Sequence, residues 1–269
     1  MIFVIFVVQD YFFRRETMSD IVTFGTKRDD DRRVLMAKAL RSSRIPDSEL
    51  MMNLGLYLTP QTLGRILFFD FLFRQIREVQ GVIMEFGCRW GQTVAVMQSL
   101  RGIYEPFNRL RKIIGFDTFE GLKGSGGHDV MKDGQYEVPE GYDEELRLLM
   151  ELQEEESPLP HIPKKEIITG DVRDTVPKYL KDHPETIIAL AYFDLDIYEP
   201  THDVLNSIQY RLTKGSVVGF DELNDPSTPG ETVAFRDWMG TWANPSQGIR
   251  QHAVKRFPAS ARTSYIIIE

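Results

Sequence analysis

Short runs of apolar residues, each closed by an acidic residue, recur along the chain from position 81 onward. Five such runs predict strands, at residues 82–84, 113–116, 166–170, 187–193 and 216–220, closed by Glu85, Asp117, Asp171, Asp194 and Asp221. The runs are continuous rather than alternating, which is typical of strands buried on both faces of a parallel sheet. Helical patterns separate most of them, so the order predicts βαβ units.

The end of the chain adds a different kind of strand. Residues 262–269 form a last β-rich run, and residues 254–257 are a candidate antiparallel partner for it. The predicted fold is therefore α/β: a doubly wound, Rossmann-like, mostly parallel seven-stranded sheet with a C-terminal antiparallel strand and an N-terminal helical extension.

The first part of the chain predicts helices rather than strands. Thr59-Pro60 is a helix-start signal, and apolar residues follow at helical spacing from Leu63 to Val79. We expect residues 1–80 to form an extension and helical cap, and residues 81–269 the main domain. The apolar run Met1–Val8 is too short to span a bilayer, and basic residues follow rather than precede it, so we assign it no function.

Residues 123–162 interrupt the main domain with a glycine-rich and then acidic stretch. Within it, Leu146, Leu148, Leu149 and Leu152 fit one face of an amphipathic helix. The favoured interpretation is a solvated insertion. The alternative is a mobile lid, because long insertions in such folds lie near the strand ends.

Composition narrows the function classes. The 269 residues carry a net charge of -8, which argues against broad binding to nucleic-acid phosphates. A single cysteine excludes an internal disulfide and agrees with a reducing cytoplasm. We expect a cytoplasmic protein with a small-molecule partner and no nucleic-acid or membrane partner, and assembly into a homo-oligomer is left open.

The strand-end acids are the candidate chemistry. In a doubly wound sheet they meet in one crevice, where unpaired carboxylates repel one another and need an amine, hydroxyl or metal partner. The first strand ends in Glu85-x-Gly87-x-x-x-Gly91, in which Glu85 replaces the first glycine of a nicotinamide-binding fingerprint. A carboxylate there suits an amine-bearing ligand such as S-adenosylmethionine better than a pyrophosphate.

The following acids complete a candidate cofactor site. Asp117 is placed to accept from both ribose hydroxyls and Asp171 from the adenine amino group, while Trp90 is either a wall of this site or a core residue. Each acid alone could instead be a helix N-cap. The alternatives for the whole chain are an NAD(P)-dependent oxidoreductase or epimerase, and a non-catalytic binding subunit.

Several longer strings carry a resemblance. The segment 85–91, Gly115-Phe116-Asp117-Thr118-Phe119-Glu120-Gly121-Leu122, Gly170-Asp171, and Asp194-Leu195-Asp196-Ile197-Tyr198-Glu199-Pro200-Thr201 resemble the class I O-methyltransferases of the macrocin type. Those enzymes methylate sugar hydroxyls of macrolide and aminocoumarin antibiotics. The resemblance covers about residues 55–240 and implies an S-adenosylmethionine-dependent O-methyltransferase of natural-product biosynthesis.

The resemblance also implies a magnesium site. In that family the acid after the fourth strand is metal ligand and catalytic base, and two acids after the fifth strand complete the site. By position these are Asp194, Asp221 and Glu222. The family usually has Asp-Asp where this chain has Asp221-Glu222, and Asn224 or Asp225 are candidate replacements for the second contact.

Overall fold

A computed structural model of the chain describes residues 26–242, 253–260 and 262–269. The apolar run Met1–Val8 lies outside the described residues. None of the helices that the described residues form is long and apolar enough to cross a membrane.

The sheet is built from seven strands in the part of the chain that the structure describes. They are β1 (Val82–Phe86), β2 (Ile113–Asp117), β3 (Lys165–Thr169), β4 (Ile188–Phe193), β5 (Leu212–Phe220), β6 (Lys255–Arg256) and β7 (Ser264–Ile267). Their order across the sheet is β3-β2-β1-β4-β5-β7-β6. Strands β1 to β5 are parallel, and β7 runs antiparallel to both β5 and β6. The predicted sheet, including its antiparallel C-terminal pair, is confirmed.

The helices cover both faces of this sheet. They are α1 (Lys27–Arg41), α2 (Asp47–Leu50), α3 (Pro60–Ile76), α4 (Gln92–Tyr104), α5 (Tyr142–Glu155), α6 (Val172–Asp182), α7 (Tyr198–Ile208) and α8 (Pro229–Trp242), with 3₁₀ turns at Met51–Tyr57 and Gln209–Arg211. One apolar core joins α3, α4 and α5 to the sheet, and a second joins α6, α7 and α8 to it. The strand order reverses between β1 and β4, which is where doubly wound sheets open a ligand crevice.

Helix α3 begins as the sequence predicts. The Thr59 hydroxyl accepts from the Thr62 N–H at 3.2 Å, and Pro60 occupies the first turn. Its buried face differs from the predicted spacing, because the aromatic stripe around Phe68 and Phe69 enters the core while Leu63 and Leu67 stay exposed. The helix thus packs on the sheet through its phenylalanines, as part of the same core.

Helix α5 shows that the insertion is not simply solvated. Leu146 and Met150 are buried, and Glu154, also buried, forms ion pairs with Arg101 and Lys164. The predicted leucine face is only partly right, since Leu149 and Leu152 are exposed. The solvated interpretation is therefore wrong for α5, which is docked on the same face as α4.

Candidate functional site

The register of the central strands brings their carboxyl ends level. Phe86 of β1 pairs with Phe193 of β4, which pairs with Phe220 of β5. The ladder continues one residue further, since the Asp194 N–H donates to the Phe86 carbonyl at 2.9 Å and the Asp221 N–H donates to the Phe193 carbonyl at 3.0 Å. Asp194 and Asp221 therefore emerge side by side at one edge of the sheet.

A cavity of about 300 Å³ opens at this edge. Six of the eight predicted cofactor and metal residues line it: Glu85, Gly87, Asp117, Asp171, Asp194 and Glu222. Gly91 and Asp221 lie outside its lining but adjoin residues that form it. The predicted cofactor and metal residues are thus gathered around one space.

Two glycines shape the loop that follows β1. A Cβ on Gly87 would lie 1.9 Å from the backbone oxygen of Asp194, so only glycine allows the two strand ends to approach. Gly91 has φ +73° and is the N-cap of α4, and a Cβ there would lie 2.2 Å from the Leu146 side chain of the insertion. The loop conformation thus depends on residues without a side chain.

Glu85 is a buried carboxyl with a free oxygen. Its Oε2 has no hydrogen-bond partner among the described residues. Burial raises the pKa of Glu85 to about 8, although hydrogen bonds from Thr93 and the Val94 N–H oppose the change. A buried acceptor of this kind favours a ligand that brings a donor or a positive charge.

Asp117 is held in one orientation by the backbone. Its Oδ2 accepts from the Arg89 N–H at 2.7 Å, and its Oδ1 accepts from the Phe119 N–H at 2.6 Å. Burial raises the pKa of Asp117, while these two hydrogen bonds oppose the rise. Each oxygen keeps a lone pair for a ligand hydroxyl.

Asp171 has a structural role in addition to its place on the cavity wall. It caps α6 by accepting from the Arg173 N–H at 2.9 Å, and it pairs with the Arg173 guanidinium at 2.6 Å. The Arg173 guanidinium holds the pKa of Asp171 below its ordinary value. The helix-cap alternative holds for this acid, and its carboxylate is already engaged by a cation.

The carboxylates of Asp194 and Asp221 share one cation, Arg65 of α3. Arg65 contacts Asp194 at 2.9 Å through one nitrogen and Asp221 through the other. Burial, reinforced by the nearby Asp221 charge, raises the pKa of Asp194 well above its usual range. Burial acts in the same direction on Asp221, but Arg65 and the Tyr192 hydroxyl outweigh it and hold the pKa of Asp221 below its ordinary value.

Glu222 belongs to a second, neighbouring group. It pairs with Arg262, which also contacts Asp225 at 3.2 Å. Burial and the charge of Glu222 raise the pKa of Asp196 well above its usual range. Glu231, fully buried, accepts weakly from the Glu222 N–H at 3.3 Å. Acids therefore outnumber cations around this end of the cavity.

The three expected metal ligands lie together, but each is paired with an arginine. Carboxylate oxygens are the donors that Mg²⁺ prefers, and Glu222 keeps a buried Oε2 without a hydrogen-bond partner. Across residues 26–242, 253–260 and 262–269, no three acidic, histidine or cysteine side chains surround a common point as metal ligands do. The donor set thus fits Mg²⁺ by its chemistry, while Arg65 and Arg262 supply the positive charge.

The insertion supplies part of the cavity wall. Lys123 and Tyr136 line it, together with Trp90, which is 45% exposed and therefore a wall residue rather than a core residue. Tyr142 packs edge-on against Trp90 with ring centroids 4.8 Å apart. The contact between the insertion and the glycine loop agrees with a covering role, and closure over a ligand stays a prediction.

Comparison with solved structures identifies close relatives. The structure described as CalS11, calicheamicin methyltransferase, is 37% identical with a TM-score of 0.84, covering 94% of this chain and 99% of that one. An apo structure of CalS11, described as a TDP-rhamnose 3'-O-methyltransferase of calicheamicin biosynthesis, is 38% identical with a TM-score of 0.79, covering 91% and 96%.

A more distant match shows the fold alone. The O-methyltransferase NovP is 15% identical with a TM-score of 0.58, covering 76% of this chain and 79% of that one. No family model and no curated protein sequence matches the chain.

Proposed function

The chain belongs to the class I, S-adenosylmethionine-dependent sugar O-methyltransferases, and we propose that it methylates a hydroxyl of a nucleotide-linked sugar with Asp194 as base and Mg²⁺ as a cofactor. The nucleotide-linked acceptor is suggested by CalS11, which is described as acting on TDP-rhamnose. The NAD(P)-dependent and non-catalytic alternatives lose their support, because the similarity to CalS11 extends over nearly the whole chain.

One observation carries the assignment of the reaction centre. Asp194 and Asp221 lie at the level ends of β4 and β5 and contact the same guanidinium beside the cavity. A reaction that removes a proton from a hydroxyl and transfers a methyl group needs a base next to the methyl donor. Asp194 lines the cavity that Glu85 and Asp117 also line, which supports this role.

The cofactor would be held by the first two strand ends and the loops after them. Asp117 would accept from the ribose hydroxyls, and Glu85 would face the amine-bearing end of S-adenosylmethionine. Gly87 and Gly91 would keep the loop close to the ligand. Asp171 would accept a hydrogen bond from the adenine amino group. The adenine would compete for this carboxylate with the Arg173 guanidinium that already pairs with it.

Asp194 would accept the proton that the acceptor hydroxyl loses as its oxygen attacks the methyl carbon. A carboxylate is a stronger base when its pKa is raised, because its pKa then lies closer to the ambient pH.

Asp194, Asp221 and Glu222 would hold the Mg²⁺ ion. When bound, the ion lowers the pKa of a hydroxyl and orients it. Arg65 contacts one oxygen each of Asp194 and Asp221, and Arg262 contacts one oxygen of Glu222, so the ion would share these carboxylates with the two arginines or replace the arginines. Neither Asn224 nor Asp225 lines the cavity, so Glu222 is the better candidate for the second contact after β5.

Methyl transfer by the wild type and by site variants, measured with chelator and with added Mg²⁺, tests this reaction centre. Chelator should abolish methyl transfer while S-adenosylhomocysteine still binds, and added Mg²⁺ should restore turnover. We expect Asp194→Asn to lower kcat by about 100-fold or more, and Glu222→Gln to lower it less, since Asp194 is both ligand and base. Asp182→Asn removes an exposed pair with Lys178 and should leave kcat unchanged.

Either of two results would reject part of the proposal. Full activity in chelator would reject Mg²⁺ and leave Asp194 as a base acting alone. A larger loss in Glu222→Gln than in Asp194→Asn would reject Asp194 as the base.

A further inference from the structure

Four cations line the cavity, and they differ in whether a carboxylate neutralises them. Arg65 pairs with Asp194 and Asp221, Arg262 with Glu222 and Asp225, and Lys123 with Glu120. Arg89 forms no ion pair within the described part of the chain, and its Nε–H is buried without an acceptor. A buried donor without a partner is costly, so a ligand that satisfies it binds with an advantage.

The side chain of Arg89 is held by aromatic rings. Its guanidinium carbon lies 4.7 Å from the centroid of Tyr136 and 5.5 Å from that of Trp90. These contacts favour a fixed position for the planar group without occupying its donors. Backbone geometry adds to the constraint, since Arg89 has φ +41° while its N–H donates to Asp117. A non-glycine residue in that region is retained where the surroundings require it.

Two observations indicate the end of the cavity that Arg89 serves. The loop that carries Arg89 touches the end of β4, because a Cβ on Gly87 would lie 1.9 Å from the backbone oxygen of Asp194. Tyr136, on which it stacks, comes from the insertion and lines the same cavity as Asp196, Glu222 and Arg262. The Arg89 guanidinium therefore lies toward the end of the cavity where the acceptor hydroxyl would bind. The Arg89 backbone N–H lies at the cofactor end, where it donates to Asp117.

We propose that Arg89 binds a phosphate of a sugar-nucleotide acceptor. The inference rests on the proposed function, because it takes a sugar as the acceptor, and it adds the residue that recognises the nucleotide part. A diphosphate brings negative charge into a cavity lined by many carboxylates, so it needs a cation that no carboxylate already neutralises. The planar fork of a guanidinium matches phosphate oxygens in pairs.

Calorimetry on the full chain separates the acceptor from the cofactor. Thymidine diphosphate is titrated into protein saturated with S-adenosylhomocysteine, and S-adenosylhomocysteine is titrated alone. Arg89→Gln should weaken thymidine diphosphate binding about 10-fold or more and change S-adenosylhomocysteine binding less than about 2-fold. Arg89→Lys, which keeps the charge but not the fork, should lose less.

The control is Arg74→Gln, which removes an exposed cation that pairs with Asp70 on α3 and should leave both affinities unchanged. Thermal unfolding of each variant establishes that it is folded.

Equal thymidine diphosphate affinity in wild type and Arg89→Gln overturns the inference. A loss of affinity confined to S-adenosylhomocysteine also overturns it, because it would assign Arg89 to the cofactor carboxylate. Binding of S-adenosylhomocysteine without any binding of thymidine diphosphate to wild type overturns the inference but not the methyl transfer. A wild type that binds neither ligand overturns both.

Discussion

At the scale of single residues, Asp117 shows how a backbone can aim a carboxylate. The backbone N–H groups of Arg89 and Phe119 each donate a hydrogen bond to one Asp117 oxygen, at 2.7 and 2.6 Å. The remaining lone pairs of the carboxylate therefore have fixed directions. Preorganisation of this kind removes part of the ordering cost of binding.

We therefore expect Asp117→Ala to weaken S-adenosylhomocysteine binding by about 1.5–3 kcal/mol, the range for hydrogen bonds to a charged group. Calorimetry measures it directly. Asp182→Ala, on the exposed end of α6, is the matched control and should leave the affinity unchanged. Unchanged binding in Asp117→Ala would remove this residue from the cofactor site.

Glu85 gives a prediction about pH. Its pKa is about 8 in the folded protein against 4.5 ordinarily, so the folded state holds a proton that the unfolded state releases between those values. Stability contributed by this group is therefore lost as the pH rises from 4.5 to about 8. One pKa unit corresponds to about 1.4 kcal/mol, so the loss is about 5 kcal/mol at most.

Glu85→Gln cannot ionise, so its stability should not fall as the pH rises from 4.5 to about 8. Without ligand, the variant should unfold at a higher temperature than wild type at pH 8 and at nearly the same temperature at pH 5. Thermal unfolding across this range measures the difference. A difference that does not change with pH would contradict a buried, protonated Glu85.

The acids of the site could be predicted from sequence, whereas their cations could not. Each acid directly follows or ends an apolar run, so its place at the strand end is a local property. Arg65 lies 129 residues from Asp194 along the chain, and Arg262 lies 40 residues from Glu222. Only the packing of α3 and of the C-terminal strands brings these arginines to the acids.

At the scale of elements, α5 is fastened to the sheet by a buried charge cluster. Glu154 pairs with Arg101 of α4 and with Lys164 at 2.8 Å, and all three side chains are almost fully buried. The leucine pattern of this helix did not predict the arrangement, since the decisive residue of the buried face is a glutamate. A pattern of apolar residues cannot reveal a buried ion pair whose partners come from other elements.

Two substitutions on this one helix measure the cluster. Glu154→Gln leaves two buried cations without a charged partner and should lower the free energy of unfolding by about 3–5 kcal/mol. Glu151→Gln removes an ion pair in which the Glu151 side chain is exposed, although Lys165 is mostly buried, and should cost about 1 kcal/mol or less. Denaturant unfolding compares them, and equal losses would show that α5 is held by its apolar contacts alone.

At the scale of the whole molecule, the doubly wound sheet could be predicted because its strands are continuous apolar runs. The register could not be predicted from those runs, yet it makes Phe86, Phe193 and Phe220 level and so sets Asp194 beside Asp221. The division between residues 1–80 and 81–269 stays a prediction, and α3 shares a core with the sheet. Cytoplasmic localisation also stays a prediction, and assembly into a homo-oligomer stays open.

As a sugar O-methyltransferase, this chain moves the methyl group of S-adenosylmethionine to a sugar hydroxyl. The most direct test is incubation of the full chain with S-adenosylmethionine, Mg²⁺ and a TDP-linked deoxysugar, followed by mass spectrometry of the acceptor. We predict one added methyl group per sugar, with formation of S-adenosylhomocysteine in equal amount. A chain that binds S-adenosylhomocysteine yet methylates neither TDP-linked sugars nor glycosylated natural products would show that it does not transfer methyl groups to sugars.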